Sequence, residues 1–202
     1  MMEEEKRYVD KTYWDNRYAS KMESFEWVIG YESLKAFDID RFIKKDDSIL
    51  FPGCGNSLIT RDMYEDGYHN LTAIDISDVV IQQMKERDKD YPLIQYTIMD
   101  CFNLSFPTDS FDVVIDKSTI DTFLCSEELL EQIPLYLQGI CRVLKEGGTL
   151  IVISFNEPDG FDMIASLSDD LSYDLAMRRW EQDPSNQEDQ GLFSYVYIFK
   201  RK

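Results

Sequence analysis

Residues 48–57 read Ser48-Ile49-Leu50-Phe51-Pro52-Gly53-Cys54-Gly55-Asn56-Ser57, and this stretch decides the fold. An apolar run of strand length meets two glycines that permit a tight turn. A helix-period segment over 57–66 follows, with Leu58, Ile59 and Met63 on one side and Gly67 placed to close it. The unit then recurs. Leu71-Thr72-Ala73-Ile74-Asp75 reads as a strand, Ser77 as the cap of a helix over 78–90 with Val80, Ile81 and Met84 inward, and Pro92 as its stop. Further strands are expected at 94–98, 111–115 and 149–154, each apolar enough for burial on both faces. Before the last of these, 127–144 carries Leu130, Ile133, Leu137, Ile140, Cys141 and Leu144 at helical spacing, bent or interrupted by Pro134 and stopped by Lys145-Glu146-Gly147-Gly148. Strands alternating with helices give an α/β fold: a parallel sheet with right-handed crossovers and helices on both faces.

The two ends depart from this rhythm. Residues 8–45 look helical and supply an aromatic-rich cover through Tyr13, Trp14, Tyr18, Phe25, Trp27, Tyr31, Leu34, Phe37 and Phe42. Near the carboxyl end, Tyr173–Trp180 and Leu192–Phe199 alternate as an antiparallel hairpin on the sheet edge would. No repeat and no second hydrophobic core is evident. The expectation is one domain over 1–202, with 1–45 as a helical lid or covering segment and 157–200 as an acidic segment plus terminal hairpin.

Composition narrows the function. Among 202 residues, 21 Lys and Arg face 39 Asp and Glu, a net charge of −18 with no basic block, so nucleic acid is an unsuitable partner. Cys54, Cys101, Cys125 and Cys141 lack CxxC spacing and His69 is the sole histidine, so no metal site is expected. The polar amino terminus and the lack of any long apolar run predict no membrane association, and the expected setting is a reducing, cytoplasmic one.

In an open α/β sheet, ligands bind beyond the carboxyl ends of the strands. Gly53 and Gly55 allow close backbone approach there, and Asn56 and Ser57 are placed to cap the next helix and present amides to an anionic group. Asp75 lies 22 residues beyond Gly53, at the end of the second strand, where a carboxylate either accepts from a ribose diol or merely caps its loop. Asp100 ends the third strand in the same way, as an adenine acceptor or a cap, with the Cys101 amide beside it. Leu58 stands where a dinucleotide-binding G-x-G-x-x-G would have its third glycine. Neither a P-loop nor a G-x-S-x-G elbow occurs.

These motifs resemble those of class I S-adenosylmethionine-dependent methyltransferases, and within them the eukaryotic elongation factor 1A lysine methyltransferase group. The resemblance rests on Tyr13-Trp14-Asp15-Asn16-Arg17-Tyr18, on 51–57, on Ala73-Ile74-Asp75-Ile76-Ser77, on 105–117 and on the closing run 194–199. It implies a Rossmann-like, mostly parallel seven-stranded sheet with an antiparallel last strand. It also implies S-adenosyl-L-methionine over Gly53, Cys54, Gly55 and Asn56, with Asp75 and Ile76 at its ribose and Asp100, Cys101 and Phe102 around adenine. Trp14 and Arg17 would belong to the lid, with Arg17 near the methionyl carboxylate. After the fourth strand the family pattern resembles Asp-Lys-Gly-Thr-Leu-Asp, whereas this chain has Asp116-Lys117-Ser118-Thr119-Ile120-Asp121, a serine in place of a glycine.

Methyl transfer requires alignment and exclusion of water, with no covalent enzyme intermediate. Asp116 would touch the cofactor site and orient an acceptor amine, and Thr119 and Asp121 are supporting residues or helix caps. The absence of clustered histidines disfavours a small-molecule acceptor, and the acidic field favours a basic protein substrate such as a translation elongation factor, met by a monomeric enzyme. The alternatives are a catalytically weak or inactive methyltransferase-like protein-interaction scaffold and a small-molecule methyltransferase. Residues 157–190 carry ten acids against Arg178 and Arg179, a net −8, and form a candidate docking surface for a basic partner.

Overall fold

The computed structural model describes residues 8, 10–21, 23–158, 164, 166, 168–174, 180–181 and 193–202. Five parallel strands form its centre: β1 (Ile49–Pro52), β2 (Leu71–Asp75), β3 (Ile94–Ile98), β4 (Phe111–Lys117) and β5 (Leu144–Ser154). β6 (Leu171–Asp174) and β8 (Phe193–Arg201) extend the sheet, giving the order β3-β2-β1-β4-β5-β8-β6, and the two-residue β7 (Trp180–Glu181) also pairs with β8. The pairings of β8 with β5, β6 and β7 are antiparallel. Strand order reverses between β1 and β4, so the ends of those two strands face a crevice.

Alternation along the strands builds two cores. Ile49, Phe51, Val113, Ile115, Ile151, Ile153, Val196 and Ile198 pack on one face beneath the amino-terminal segment. Leu50, Ile74, Val114, Leu150, Val152, Tyr197 and Phe199 pack on the other. Because successive side chains point to opposite faces, neighbours such as Asp116 and Lys117 belong to different sides of the sheet.

Helices cover both faces. On the first lie α1 (Lys11–Ser20), α2 (Tyr31–Lys35), α3 (Ile59–Glu65) and α4 (Asp78–Arg87). On the second lie α5 (Thr119–Leu124), α6 (Glu127–Leu130) and α7 (Ile133–Val143). Ser77 caps α4, accepting from the Val80 amide at 3.3 Å, and Val80, Ile81 and Met84 are buried as expected.

Several local expectations are corrected. The helical stretch 8–45 is α1 and α2 with a 3₁₀ turn at Ile39–Arg41, and 21–30 is not helical. The segment 127–144 is two helices: Pro134 sits in the first turn of α7, where its missing N–H costs nothing, and the restart leaves Leu130 38% exposed while Leu129 is buried. β3 is buried on one face only, because it is the sheet edge. Lys145–Gly148 does not precede β5 but lies within it, as an irregularity where Phe111 pairs with Leu144 and Val113 with Thr149. Gly147 turns there with φ 72°. The terminal strands pair as expected, but β8 takes the inner place against β5 and β6 the outer edge. Within the acidic segment, Glu157, Asp169 and Asp170 are exposed. Asp159, Asp162, Arg178, Arg179, Asp183, Glu188 and Asp189 lie outside the described residues, as do 175–179 and 182–192 of the expected hairpin. Among the described residues no helix is long and apolar enough to cross a membrane.

Candidate active site

The glycine turn at the end of β1 is required by its surroundings. Gly53 and Gly55 have φ of 59° and 53°, a region costly for any residue with a Cβ. A Cβ on Gly53 would stand 2.4 Å from Thr119 Oγ1, and one on Gly55 would stand 2.9 Å from the Tyr18 hydroxyl. Bare backbone is therefore the only floor that fits.

Asp75 locks that turn to β2. Its Oδ2 accepts from the Gly55 amide and its Oδ1 from the Ser77 amide, each at 2.9 Å. Burial pushes its carboxyl up to about 6 against the opposing pull of those amides. The carboxylate keeps unused lone-pair capacity, and the residue lines a cavity of about 390 Å³ beyond the strand ends.

That cavity gathers most of the residues anticipated from sequence. Trp14, Gly53, Cys54, Gly55, Asp75, Ile76, Asp100, Cys101, Phe102, Thr119 and Asp121 all line it. Burial raises the thiols of Cys54 and Cys101, so both act as apolar wall. Asp100 Oδ1 accepts from the Phe102 amide at 2.9 Å, and Phe102 packs on Phe123 with ring centroids 4.7 Å apart. Thr119 Oγ1 donates to the Pro52 carbonyl at 2.8 Å, joining β1 to the start of α5.

Three expected residues lie elsewhere. Asp116 is wholly buried and does not reach the cavity. Its Oδ1 accepts from the Thr119 and Ile120 amides at 2.9 and 3.2 Å, and its Oδ2 from the Tyr136 hydroxyl at 2.6 Å. The pleat turns it toward α7, where burial raises its carboxyl to about 7. It caps α5 and lies off the cavity wall, contrary to the expectation that it touches cofactor and acceptor. Asn56 faces away too, donating to the Glu23 carbonyl at 2.7 Å, and Ser57 rather than Asn56 serves the next helix through the Ile59 amide. The anion beside that turn is the chain's own Glu26, which accepts from the Leu58 amide at 2.6 Å. Arg17 sits with its guanidinium carbon 4.4 Å from the Trp27 ring centroid, outside the cavity wall.

Asp121 is the carboxylate of this loop that does face the cavity. Four donors hold it: Ser118 Oγ at 2.9 Å, Asn156 Nδ2 at 2.7 Å, the Phe155 amide at 3.3 Å and the Ser154 hydroxyl. Burial nevertheless raises its carboxyl. Ser118, the departure from the glycine pattern, has φ 64° and ψ 11°: it keeps the left-handed turn that a glycine would make easily. Sequence reading missed the cavity residues Tyr8, Trp27, Met99, Lys117, Phe123 and Phe155. Only Lys117 lay in a quoted motif. The aromatic residues reach the cavity from segments whose placement no local pattern fixes.

A family profile described as a methyltransferase domain matches residues 50–152, the span from β1 to β5 that builds this crevice. The chain belongs to that family. The bovine (Bos taurus) "eEF1A lysine and N-terminal methyltransferase" is 37% identical to it over 153 residues, which is 74% of this chain and 22% of the relative. The mouse (Mus musculus) "EEF1A lysine methyltransferase 4" is 32% identical over 162 residues, 75% of this chain and 63% of the relative. The chain thus spans about a fifth of the length of the first of these relatives. In fold, a SAM-dependent methyltransferase from Methanosarcina mazei matches with a TM-score of 0.61 at 16% identity, over 81% of this chain and 96% of that one. The methyl donor that membership implies for this methyltransferase is S-adenosylmethionine. The residues present fit it: a glycine floor that no Cβ could share, a buried Asp75 with free lone pairs, and apolar walls at Ile76, Met99 and Phe102.

Proposed function

We propose that this methyltransferase acts as one monomeric domain in the cytoplasm and methylates a lysine amine of a basic protein, such as a translation elongation factor. One observation carries the reading. The cavity that touches the glycine turn and Asp75 is also walled by Tyr8, Trp14, Trp27, Phe123 and Phe155. Aromatic faces suit an alkyl-ammonium side chain, which they hold by cation–π attraction while excluding water. The names of the relatives agree with a lysine acceptor.

Bound S-adenosylmethionine supplies an electrophilic methyl carbon on its sulfonium. The chain's own residues do the rest by positioning. Asp75 would accept from the ribose hydroxyls, and Asp100 with the Cys101 amide would serve the adenine, since all three line the cavity. The orienting role expected of Asp116 passes to Asp121, whose four donors fix its oxygens at the cavity wall. A carboxylate favours the ammonium form, and the lone pairs of Asp121 are already taken by these donors, so it acts on the acceptor amine through its charge at the cavity wall and not as a direct hydrogen-bond partner or a strong base. Trp14 belongs to the segment over the cavity, tied down where Ser77 Oγ donates to Asp15 at 2.6 Å and Gln83 Nε2 to the Tyr18 carbonyl at 2.9 Å.

The test is incubation with basic candidate proteins, elongation factor 1A first, and methyl-labelled S-adenosylmethionine, followed by mass spectrometry of peptides. Label on a lysine is expected. Cofactor binding by calorimetry with no label on any candidate protein would overturn the substrate assignment.

A further inference from the structure

The cavity carries one feature that neither the glycine turn nor Asp75 explains. Lys117, at the end of β4, is the only lysine or arginine among the described residues that line it, beside the carboxylates Asp75, Asp100 and Asp121. Its side chain is 7% exposed. Its Nζ donates to Glu26 Oε2 at 2.7 Å, and no other acceptor is engaged among the described residues. An ammonium has three donors, so two remain for the cavity.

Glu26 is held from the opposite side. Ser57 Oγ donates to its two oxygens at 3.0 and 2.8 Å, and the Leu58 amide donates to Oε1 at 2.6 Å. Glu26 does not itself line the cavity. The arrangement is a buttressed cation: a carboxylate fixed by backbone and hydroxyl holds the lysine, which lines the cavity with two donors to spare. A nearly buried cation of this kind is costly without anionic partners, and Glu26 uses only one donor.

We infer that Lys117, positioned by Glu26, binds the carboxylate of the amino-acid end of the methyl donor, the role expected of Arg17. The inference rests on the cofactor reading above. Arg17 has its guanidinium over Trp27 and Phe25 and lines no part of the cavity, whereas Lys117 lines it two residues before Thr119, which closes on Gly53. The anchor therefore sits on the rigid end of a central strand and not on the covering segment.

The experiment compares binding of S-adenosylmethionine with its decarboxylated analogue, which lacks only that carboxylate, by calorimetry. The wild-type protein is expected to prefer S-adenosylmethionine by roughly 10- to 150-fold, the range of a hydrogen-bonded charge pair. Lys117→Met should erase that preference by weakening S-adenosylmethionine alone, and Lys117→Arg should restore most of it. Because Lys117→Met strands Glu26, the double variant Glu26→Gln with Lys117→Met is the folding control and should show the same loss. Equal weakening of both ligands in the double variant, or a preference lost in Arg17→Met and kept in Lys117→Met, would overturn the inference. A wild-type protein that binds both ligands equally also refutes the anchor, while one that binds neither ligand nor 5′-methylthioadenosine refutes the cofactor reading itself.

Discussion

Ser118 offers the sharpest test of how this loop is held, because its backbone and its side chain make opposed contributions. At φ 64° a residue with a Cβ pays about 1–2 kcal/mol relative to glycine, and glycine gives back about 0.4–1 kcal/mol through its freer unfolded chain. The side chain, 8% exposed, donates at 2.9 Å to Asp121, a hydrogen bond to a charged group worth about 1.5–3 kcal/mol. Ser118→Ala keeps the backbone cost and loses the bond, so a loss of about 2 kcal/mol is expected. Ser118→Gly loses the same bond but gains about 0.8 kcal/mol from the difference between the two backbone effects, so it should fall only about 1 kcal/mol below wild type. Urea unfolding, with fixed m-values as the check on two-state behaviour, reads these differences directly. The expected order is Ser above Gly above Ala. A glycine variant more stable than wild type would show that the hydroxyl contributes less than the backbone gain of about 0.8 kcal/mol, and alanine equal to glycine would refute the strained turn.

Gly53→Ala should destabilise by about 3 kcal/mol, combining left-handed strain with the clash against Thr119, and Thr119→Ala in the same chain should recover part of that; strict additivity in urea unfolding would refute the contact. Asp116, raised to about 7 by burial, favours the folded state most when protonated, so its contribution is fully present below the unfolded pKa near 4 and is lost as pH rises through about 7. The stability of Asp116→Asn relative to wild type should accordingly improve by about 2 kcal/mol from pH 5 to pH 7, and a difference independent of pH would count against the buried carboxyl. Asp75→Ala should abolish calorimetric binding of S-adenosylhomocysteine. In the wild-type protein that affinity should decline as pH falls through about 6, where Asp75 takes up its proton, and unchanged binding in the variant would sink the ribose role.

The parallel centre of the sheet was legible because strand 48–52, its glycine turn and the repeats of strand and helix after it are local patterns, set by hydrophobic periodicity and by backbone freedom at φ near +60°. The acids closing β2 and β3 were legible for the same reason: the carboxyl ends of parallel strands open on the crevice, and Asp75 and Asp100 line it. Side-chain direction was not. Asp116 and Lys117 are neighbours in a quoted motif, yet the pleat of β4 sends the first into the α7 side as a helix cap and the second into the cavity against Glu26, 91 residues away. Nor did the aromatic run at the amino terminus reveal that Trp14 and Trp27 wall the cavity while Arg17 lies over Trp27, since those contacts depend on how the segment packs across α4. By itself the sequence determined the sheet, the turn and the crevice-facing carboxylate, all consequences of short-range pattern. Tertiary structure alone decided which charges face the cavity, because that depends on register and on partners far apart in the chain.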